Sequence, residues 1–199
     1  MKLGLFGGTF NPIHLGHLLL AETARETLAL DRVLFIPTRQ PPHKSDRDLL
    51  PGGERMRLIR LAIRDHSAFA ASDIELQRDG ISYTIDTVQA IHRQLPEAKL
   101  FLLVGQDMLA VPWRSWAQLK RLCTIVAARR PGGPKPKQQA GVQWLDMPPV
   151  GIASSDIRRR LRAGRSIRYL VPGPVERYLK AHQLYQRTRG RAQESLDAP

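Results

Sequence analysis

The sequence of 199 residues contains a single cysteine, Cys123, which excludes an internal disulfide bond. No apolar run approaches the roughly 20 residues that a membrane-spanning helix needs. The first residues form an apolar, strand-like segment and not the pattern of a secretory leader. We therefore expect a protein of the reducing cytoplasm with no membrane partner.

Acidic residues are also scarce, and so are aromatic ones. The chain has 18 Asp and Glu against 31 Lys and Arg, which gives a formal net charge of +13. This excess indicates an anionic partner, which includes nucleic acid, nucleotides and phosphorylated metabolites. A nucleic-acid-binding module is thus one alternative. The aromatic content of 6% offers no base-stacking platform, and we expect no specific nucleic-acid partner.

Apolar segments that are typical of buried strands alternate with segments of helical periodicity. This alternation predicts an α/β fold, a Rossmann-like doubly wound parallel sheet with helices on both faces. We expect one domain over residues 1–186 and a flexible tail over 187–199. The predicted strands are 2–6, 32–37, 99–105 and 123–128, with weaker candidates at 69–76 and 142–147, and the predicted helices are 14–29, 54–66 and 84–95.

The first strand–helix junction is the strongest candidate for a binding site. Ligands of open parallel sheets bind beyond the carboxyl ends of the strands, and a helix N-terminus favours phosphate. Gly7 and Gly8 permit a tight turn with positive φ, and His14 and His17, three residues apart, can face one ligand. The motifs G-x-x-x-x-G-K-[ST] and G-x-G-x-x-G are both absent. No third metal ligand is evident nearby, and a plain glycine turn with two surface histidines is the alternative.

Two motifs carry a resemblance to a known family. The segment GGTFNPIHLGH (7–17) resembles the G-x-[FT]-[DN]-P-x-H-x-G-H signature of nucleotidyltransferases, and IASSDIR (152–158) resembles their I-S-S-T-x-I-R motif. To about residue 186 the chain is similar to bacterial nicotinate mononucleotide adenylyltransferases. The resemblance implies adenylyl transfer from ATP to nicotinate mononucleotide, giving deamido-NAD and pyrophosphate. Asn11 and Ala153 depart from the usual Asp and Ser.

The resemblance also implies the ATP site. His14, His17 and Arg158 would be the catalytic residues, and they would stabilise charge on the phosphates during a direct in-line attack with no covalent enzyme intermediate. Mg²⁺ would accompany ATP, and we assign no metal ligand to the protein. We expect Ser154 or Ser155 to cap the helix that carries Arg158. The residues implied in ATP binding are Gly7, Gly8, Thr9, Phe10, His14, His17, Ser154, Ser155 and Arg158.

The middle of the chain would select the acceptor. His43 and Lys44 would reach its phosphate, Tyr83 and Thr84 its carboxylate, Gly105 and Asp107 its ribose, and Trp113 would stack on the pyridine.

Three points stay open for this region. Thr84 is a candidate helix cap, and Trp116 is the alternative to Trp113 as the stacking ring. Between residues 80 and 88 the only dedicated side-chain acceptor is Asp86, and we expect it to point elsewhere on a helix. The segment thus offers no acceptor to the NH₂ group of an amide, which favours nicotinate over nicotinamide. An enzyme for nicotinamide mononucleotide, or one of dual specificity, is the alternative. The sequence also leaves open whether the chain forms a homo-oligomer.

Overall fold

The computed structural model describes residues 1–40, 48–129 and 140–186, which contain six strands and six α-helices. The strands are β1 Lys2–Gly8, β2 Arg32–Pro37, β3 Phe69–Ala71, β4 Lys99–Gly105, β5 Thr124–Ala128 and β6 Val142–Leu145. The helices are α1 Leu15–Leu28, α2 Gly52–Ile63, α3 Thr84–Gln94, α4 Trp116–Leu122, α5 Ser154–Arg162 and α6 Gly173–Ala181, and a 3-10 helix, Gln106–Ala110, follows β4.

All six strands are parallel and form one sheet in the order β3-β2-β1-β4-β5-β6. The predicted doubly wound, Rossmann-like fold is thereby confirmed. The chain runs from the central strand β1 outward to β3 and then returns to β4 on the other side of β1. In this register Leu5 of β1 pairs with Leu34 of β2 and with Leu102 of β4. Ligands of such sheets bind at this reversal, beyond the carboxyl ends of β1 and β4.

Both faces of the sheet are covered, because side chains of successive strand residues point to opposite faces. Leu3 and Leu5 of β1 belong to a buried cluster with residues of α3 and α4. Phe6 belongs to a second cluster on the opposite face, with residues of α1, α2, α5 and α6. Since both faces are buried, the strands are continuous apolar runs, and this explains why the strongest of them are visible in the sequence.

Four observed elements differ most from the predicted ones: β3, β6, α4 and α6. Strand β3 ends at Ala71, five residues before the predicted end, and β6 also ends early. Helices α4 and α6 lie outside the predicted segments. Helix α4 has seven residues and a single buried one, Leu119, so it has no apolar stripe to detect. Helix α6 begins directly after Pro172, in a stretch whose two prolines indicate a loop.

Two predictions fall outside the described residues: the acceptor-phosphate role of His43 and Lys44, and the tail at 187–199. None of the helices in the described ranges is long and apolar enough to cross a membrane.

Candidate active site

A cleft of about 630 Å³ lies at the carboxyl end of the sheet, a volume typical of small-molecule sites. Every described residue that the sequence predicts for ATP or acceptor binding lines this cleft. Residues from five separate parts of the chain therefore meet at one place. These lining residues are Gly7, Gly8, Thr9, Phe10, His14, His17, Tyr83, Thr84, Gly105, Asp107, Trp113, Ser154, Ser155 and Arg158.

The two histidines are held together at the start of α1. His14 precedes the first helical residue, and its backbone N–H donates a hydrogen bond to Nδ1 of His17 at 3.2 Å. The two rings stack with centroids 3.6 Å apart. Because Nδ1 of His17 accepts this bond, the neutral ring carries its proton on Nε2. His17 is therefore oriented as a hydrogen-bond donor through Nε2, which suits an anionic ligand.

The turn between β1 and α1 differs from the prediction. Neither Gly7 nor Gly8 has positive φ, and both belong to β1. The left-handed residue is Phe10, with φ of 48°. Phe10 is buried, and its ring centroid lies 5.4 Å from that of Phe6 and 5.0 Å from that of His17. A Cβ on Gly8 would lie 3.1 Å from the Phe10 ring, so this glycine is needed for close packing and not for backbone freedom.

Gly16, between the two histidines, also makes room for a ring. A Cβ at this position would lie 3.1 Å from Nδ1 of His14 and 3.2 Å from its Cε1. The His14 ring is buried and stacked on His17, so it has little space to retreat. The glycine in the first motif thus permits the stacked arrangement of the two histidines.

The second motif reaches back to the first one. Ser154 Oγ donates a hydrogen bond to the Pro12 carbonyl at 2.9 Å, and Arg158 Nη1 donates to the Asn11 carbonyl at 2.9 Å. The predicted helix cap is wrong for both serines: the residue before the helix is Ala153, and no side chain caps it. The hydroxyl of Ser154 instead joins two segments that are 142 residues apart.

Asn11 is a buried junction whose role the sequence did not reveal. Its Nδ2 donates to the Asp48 carbonyl at 3.0 Å, and its Oδ1 accepts from the Leu50 N–H at 3.1 Å and from the Tyr185 hydroxyl. Asn11 therefore ties the first motif to the segment before α2 and to the segment after α6. An aspartate here has no N–H to donate to the Asp48 carbonyl, which gives the departure from the usual residue a physical meaning.

The buried Arg55 of α2 is hydrogen-bonded to the turn that follows β1. It is 1% exposed, its Nη1 donates to the Thr9 carbonyl at 2.9 Å, and its Nε donates to the Leu50 carbonyl at 2.9 Å. Burial lowers the pKa of Arg55, and the side chains of Tyr185 and Glu75 act in the opposite direction. A cation therefore lies behind the backbone that lines the predicted ATP site.

The opposite end of the cleft contains Trp113, half-buried on the loop before α4. Its Nε1 donates to the Met108 carbonyl at 2.6 Å, which fixes the plane of the indole. Trp116 packs against it at 5.7 Å between centroids but does not line the cleft. Asp107 lies against Gly105, where a Cβ would come within 2.6 Å of its carboxylate. Of these two tryptophans, Trp113 is the one that lines the cleft.

The first turn of α3 lines the cleft between these groups. The residue that precedes the helix is Tyr83, and Thr84 is its first residue, with no side chain capping the end; the predicted Thr84 cap is therefore wrong. The Arg114 guanidinium lies 4.5 Å from the centre of the Tyr83 ring. Asp86 does not line this cleft, in agreement with its predicted orientation.

Glu75 is a cleft residue that the sequence analysis missed. It is 5% exposed, and its Oε1 accepts a hydrogen bond from the Thr87 hydroxyl at 2.8 Å. Burial raises its pKa above the ordinary value, and hydrogen bonds from Thr87, Ser82 and Thr38 and the charge of Arg78 act against this rise. In the sequence, Glu75 lies between an apolar segment and a glycine turn, and this local pattern does not predict a cleft residue.

In the described part of the chain, no group of three or more His, Cys, Asp or Glu side chains is arranged to hold a metal ion. Backbone from β1 and the donor side chains of His17 and Arg158 are among the groups that line the cleft. Donors of this kind can bind polyphosphate and stabilise negative charge on it.

This combination of fold and site is that of a nucleotidyltransferase, and a family model described as cytidylyltransferase-like matches residues 5–160. A nicotinate-nucleotide adenylyltransferase from Thermus thermophilus is 45% identical over 188 residues, which cover 94% of this chain and 100% of the relative. Its counterpart from Symbiobacterium thermophilum is 41% identical and covers 94% of this chain and 96% of the relative. The chain belongs to the nicotinate-nucleotide adenylyltransferase family.

Solved structures support the fold independently. Nicotinic acid mononucleotide adenylyltransferase from Plasmodium falciparum, in complex with NaAD, superposes with a TM-score of 0.77 at 16% identity and covers 92% of this chain and 97% of its own. The same enzyme in complex with APC gives a TM-score of 0.74 at 15% identity, with coverage of 92% and 96%. At this identity the likeness concerns the architecture.

Proposed function

We propose that this chain transfers the adenylyl group of ATP to nicotinate mononucleotide and releases pyrophosphate and nicotinate adenine dinucleotide. The observation that carries the proposal is the junction of the two motifs, in which Ser154 and Arg158 contact the backbone of Pro12 and Asn11 at the mouth of the cleft. The names of the relatives and the acceptor-end residues of the cleft support this substrate pair.

The reaction needs alignment and charge stabilisation more than proton transfer. A phosphate oxygen of the mononucleotide forms a bond to the α-phosphorus of ATP, and the bond from that phosphorus to the bridging oxygen breaks with its electron pair on pyrophosphate. The attacking phosphate is mostly dianionic at neutral pH, because its second pKa is about 6. No general base and no covalent enzyme intermediate are required.

The histidines and Arg158 take the roles of phosphate ligands. His17, with its proton on Nε2, donates to the charge that develops on the α-phosphate, and His14 supports it by the stacked contact at 3.6 Å. Arg158, close to the first-motif backbone, binds the β- and γ-phosphates. Mg²⁺ that accompanies ATP would supply charge neutralisation at the phosphates, and we assign no residue of the chain as its ligand.

The acceptor would lie across the other half of the cleft. Trp113 stacks on the pyridine, Asp107 binds a ribose hydroxyl, and the N–H groups at the first turn of α3 bind the nicotinate carboxylate. Glu75 is a further acceptor in the cleft, but its carboxylate already accepts hydrogen bonds from neighbouring hydroxyl groups. It is therefore not available to the NH₂ group of an amide. We therefore favour the acid over nicotinamide mononucleotide.

The test is pyrophosphate release from ATP and Mg²⁺ with nicotinate mononucleotide, nicotinamide mononucleotide or phosphopantetheine as acceptor. We expect a strong preference for the first acceptor. His17→Ala should lower kcat by about 100-fold or more, the usual cost of removing a donor to developing charge. His182→Ala, at an exposed position after α6, is the matched control and should stay near wild type. Preference for another acceptor contradicts the assigned substrate, and an active His17→Ala contradicts the assigned site.

A further inference from the structure

Glu75 is a carboxylate buried beside the acceptor half of the cleft, and the proposed mechanism does not use it. It is 5% exposed and lies between β3 and α3, at the wall formed by the loop that leads into α3. Burial of a charge is costly unless hydrogen bonds compensate for it. Here the compensation comes from three hydroxyl groups on two chain segments that are far apart in sequence.

The three hydroxyl groups connect Glu75 to both segments that flank the predicted acceptor site. Thr87 lies on α3 and donates to the carboxylate at 2.8 Å, Ser82 lies just before α3, and Thr38 lies just after β2. Arg78 Nη2 also donates to the Thr87 hydroxyl, so a cation stands behind the carboxylate. The carboxylate is thus the common partner of two chain segments that are far apart in sequence.

The same two segments are joined to each other by backbone contacts around Ser82. The Arg39 N–H donates to Ser82 Oγ at 3.2 Å, and the Ser82 N–H donates to the Gln40 carbonyl at 3.1 Å. In the sequence, residues 38–40 come shortly before His43 and Lys44, the predicted acceptor-phosphate residues, and Ser82 comes directly before Tyr83. Movement at either segment therefore displaces the other one.

We propose that Glu75 is a positioning residue for the acceptor: it holds the strand end at Thr38 and the start of α3 in the relative placement that binds the mononucleotide. Glu75 does not touch the phosphates of ATP and takes no proton in the reaction. This inference rests on the proposed function for the identity of the acceptor, but the network itself is independent of it.

The effect of Glu75 on the free energy of unfolding distinguishes a positioning role from a purely stabilising one. Its pKa is raised in the folded protein, so the folded state holds the proton more tightly than the unfolded chain does. The free energy of unfolding therefore falls as pH rises from the unfolded value of about 4.5 through the folded pKa. Where the buried carboxylate is ionised it lowers the free energy of unfolding, and a neutral isostere removes that cost.

The experiment compares Glu75→Gln with wild type and with Glu26→Gln, a matched change at an exposed site on α1. We expect Glu75→Gln to raise KM for nicotinate mononucleotide by about tenfold, because one hydroxyl loses its acceptor and one segment is released. KM for ATP should change less than about twofold. The Tm at neutral pH should stay equal or rise. Equal changes in both KM values, or an unchanged KM for the acceptor, overturn the proposal.

Thr87 gives a second, independent variant pair. Thr87→Val keeps the shape and removes the donor, and Thr87→Ser keeps the donor. We expect Thr87→Val to follow Glu75→Gln, with Thr87→Ser closer to wild type in KM for the acceptor. If the two Thr87 variants behave alike, the hydroxyl has no positioning role and the proposal fails.

Hydrogen exchange tests the network without any substrate. In Glu75→Gln, backbone N–H exchange should accelerate at 38–40 and 82–87 and stay unchanged in the first turn of α1. Unchanged exchange in both segments overturns the proposal. Failure of the proposed function shows differently, as absent turnover by wild type with nicotinate mononucleotide.

Discussion

Arg158 Nη1 donates a hydrogen bond to the backbone carbonyl of Asn11 at 2.9 Å, across 147 residues of sequence. The contact places the guanidinium beside the turn that carries the first motif. Arg158 also lines the cleft in which the proposed function places a polyphosphate. The Arg158 side chain thus both joins the two motifs and lines the cleft.

Replacement of Arg158 by lysine should separate these two tasks. A lysine offers one point charge and cannot reach the Asn11 carbonyl and a phosphate together. We expect kcat/KM for ATP to fall by about 10- to 100-fold, the equivalent of about 1.5–3 kcal/mol for a charged hydrogen bond. Steady-state kinetics with varied ATP measure this. Arg159→Lys, at an exposed position one residue on, is the control, and an equal loss there would refute the assignment.

Asn11→Ala should be a stability mutation. It leaves the Asp48 carbonyl, the Leu50 N–H and the Tyr185 hydroxyl without their buried partner. Each of these partly buried hydrogen bonds contributes about 1 kcal/mol, and we expect a loss of about 3 kcal/mol in the free energy of unfolding by urea titration. Tyr185→Phe removes only one of these bonds and should cost about 1 kcal/mol. Equal effects of the two variants would show that Asn11 is not the junction.

Gly16→Ala should lower activity. Alanine favours a helix over glycine by up to about 1 kcal/mol, but its Cβ presses on the buried His14 ring at 3.1 Å. The matched control is Gly53→Ala, at the same second position of α2, where a Cβ meets nothing within 4 Å. We expect Gly53→Ala to keep kcat and to keep or raise Tm, and Gly16→Ala to lose kcat and to have a lower Tm than Gly53→Ala. Full activity in Gly16→Ala would mean that the stacked histidine pair tolerates displacement.

The two tryptophans give a matched pair at the acceptor end. Trp113 lines the cleft and Trp116 supports it from the side. Trp113→Ala should raise KM for nicotinate mononucleotide by about tenfold or more, since stacking on an aromatic ring contributes about 1–3 kcal/mol. KM for ATP should change little, and Trp116→Ala should have the smaller effect on the acceptor. A parallel rise of both KM values in Trp113→Ala would argue against stacking.

Cys123 should be chemically silent in the folded protein. Its thiol is buried, and burial raises its pKa to about 12. The thiolate is the reactive form, so a thiol reagent at pH 8 should react with the native protein only as fast as the protein unfolds. The same reagent in urea should react at once. Rapid reaction of the native protein would show that residue 123 is accessible.

Part of this molecule was predictable from the sequence because the relevant patterns are local. Buried parallel strands are short apolar runs, and β2 and β4 have the predicted bounds. The two motifs identify the site because both hold residues whose types are tied to phosphate binding. No local pattern predicts the contacts between the two motifs, such as the hydrogen bond of Ser154 to Pro12.

The other parts depend on tertiary packing. Phe10 adopts positive φ although neighbouring glycines are available, because its ring has a buried place between Phe6 and Phe35. Glu75 is a cleft residue only because β3 is short and brings the following loop under α3. Neither outcome follows from residue preference, since both depend on what lies across the fold.

The central position of β1 has a consequence for synthesis on the ribosome. Strand β1 is made first, but its partner β4 ends at residue 105, and the site further requires Arg158 and the Tyr185 contact with Asn11. The first motif is therefore synthesised early, but its contacts in the site form only after nearly the whole described chain has been made. A nascent chain that stops short of these contacts exposes the first motif but has no completed site, so nucleotide turnover begins only after almost all of the chain has been translated.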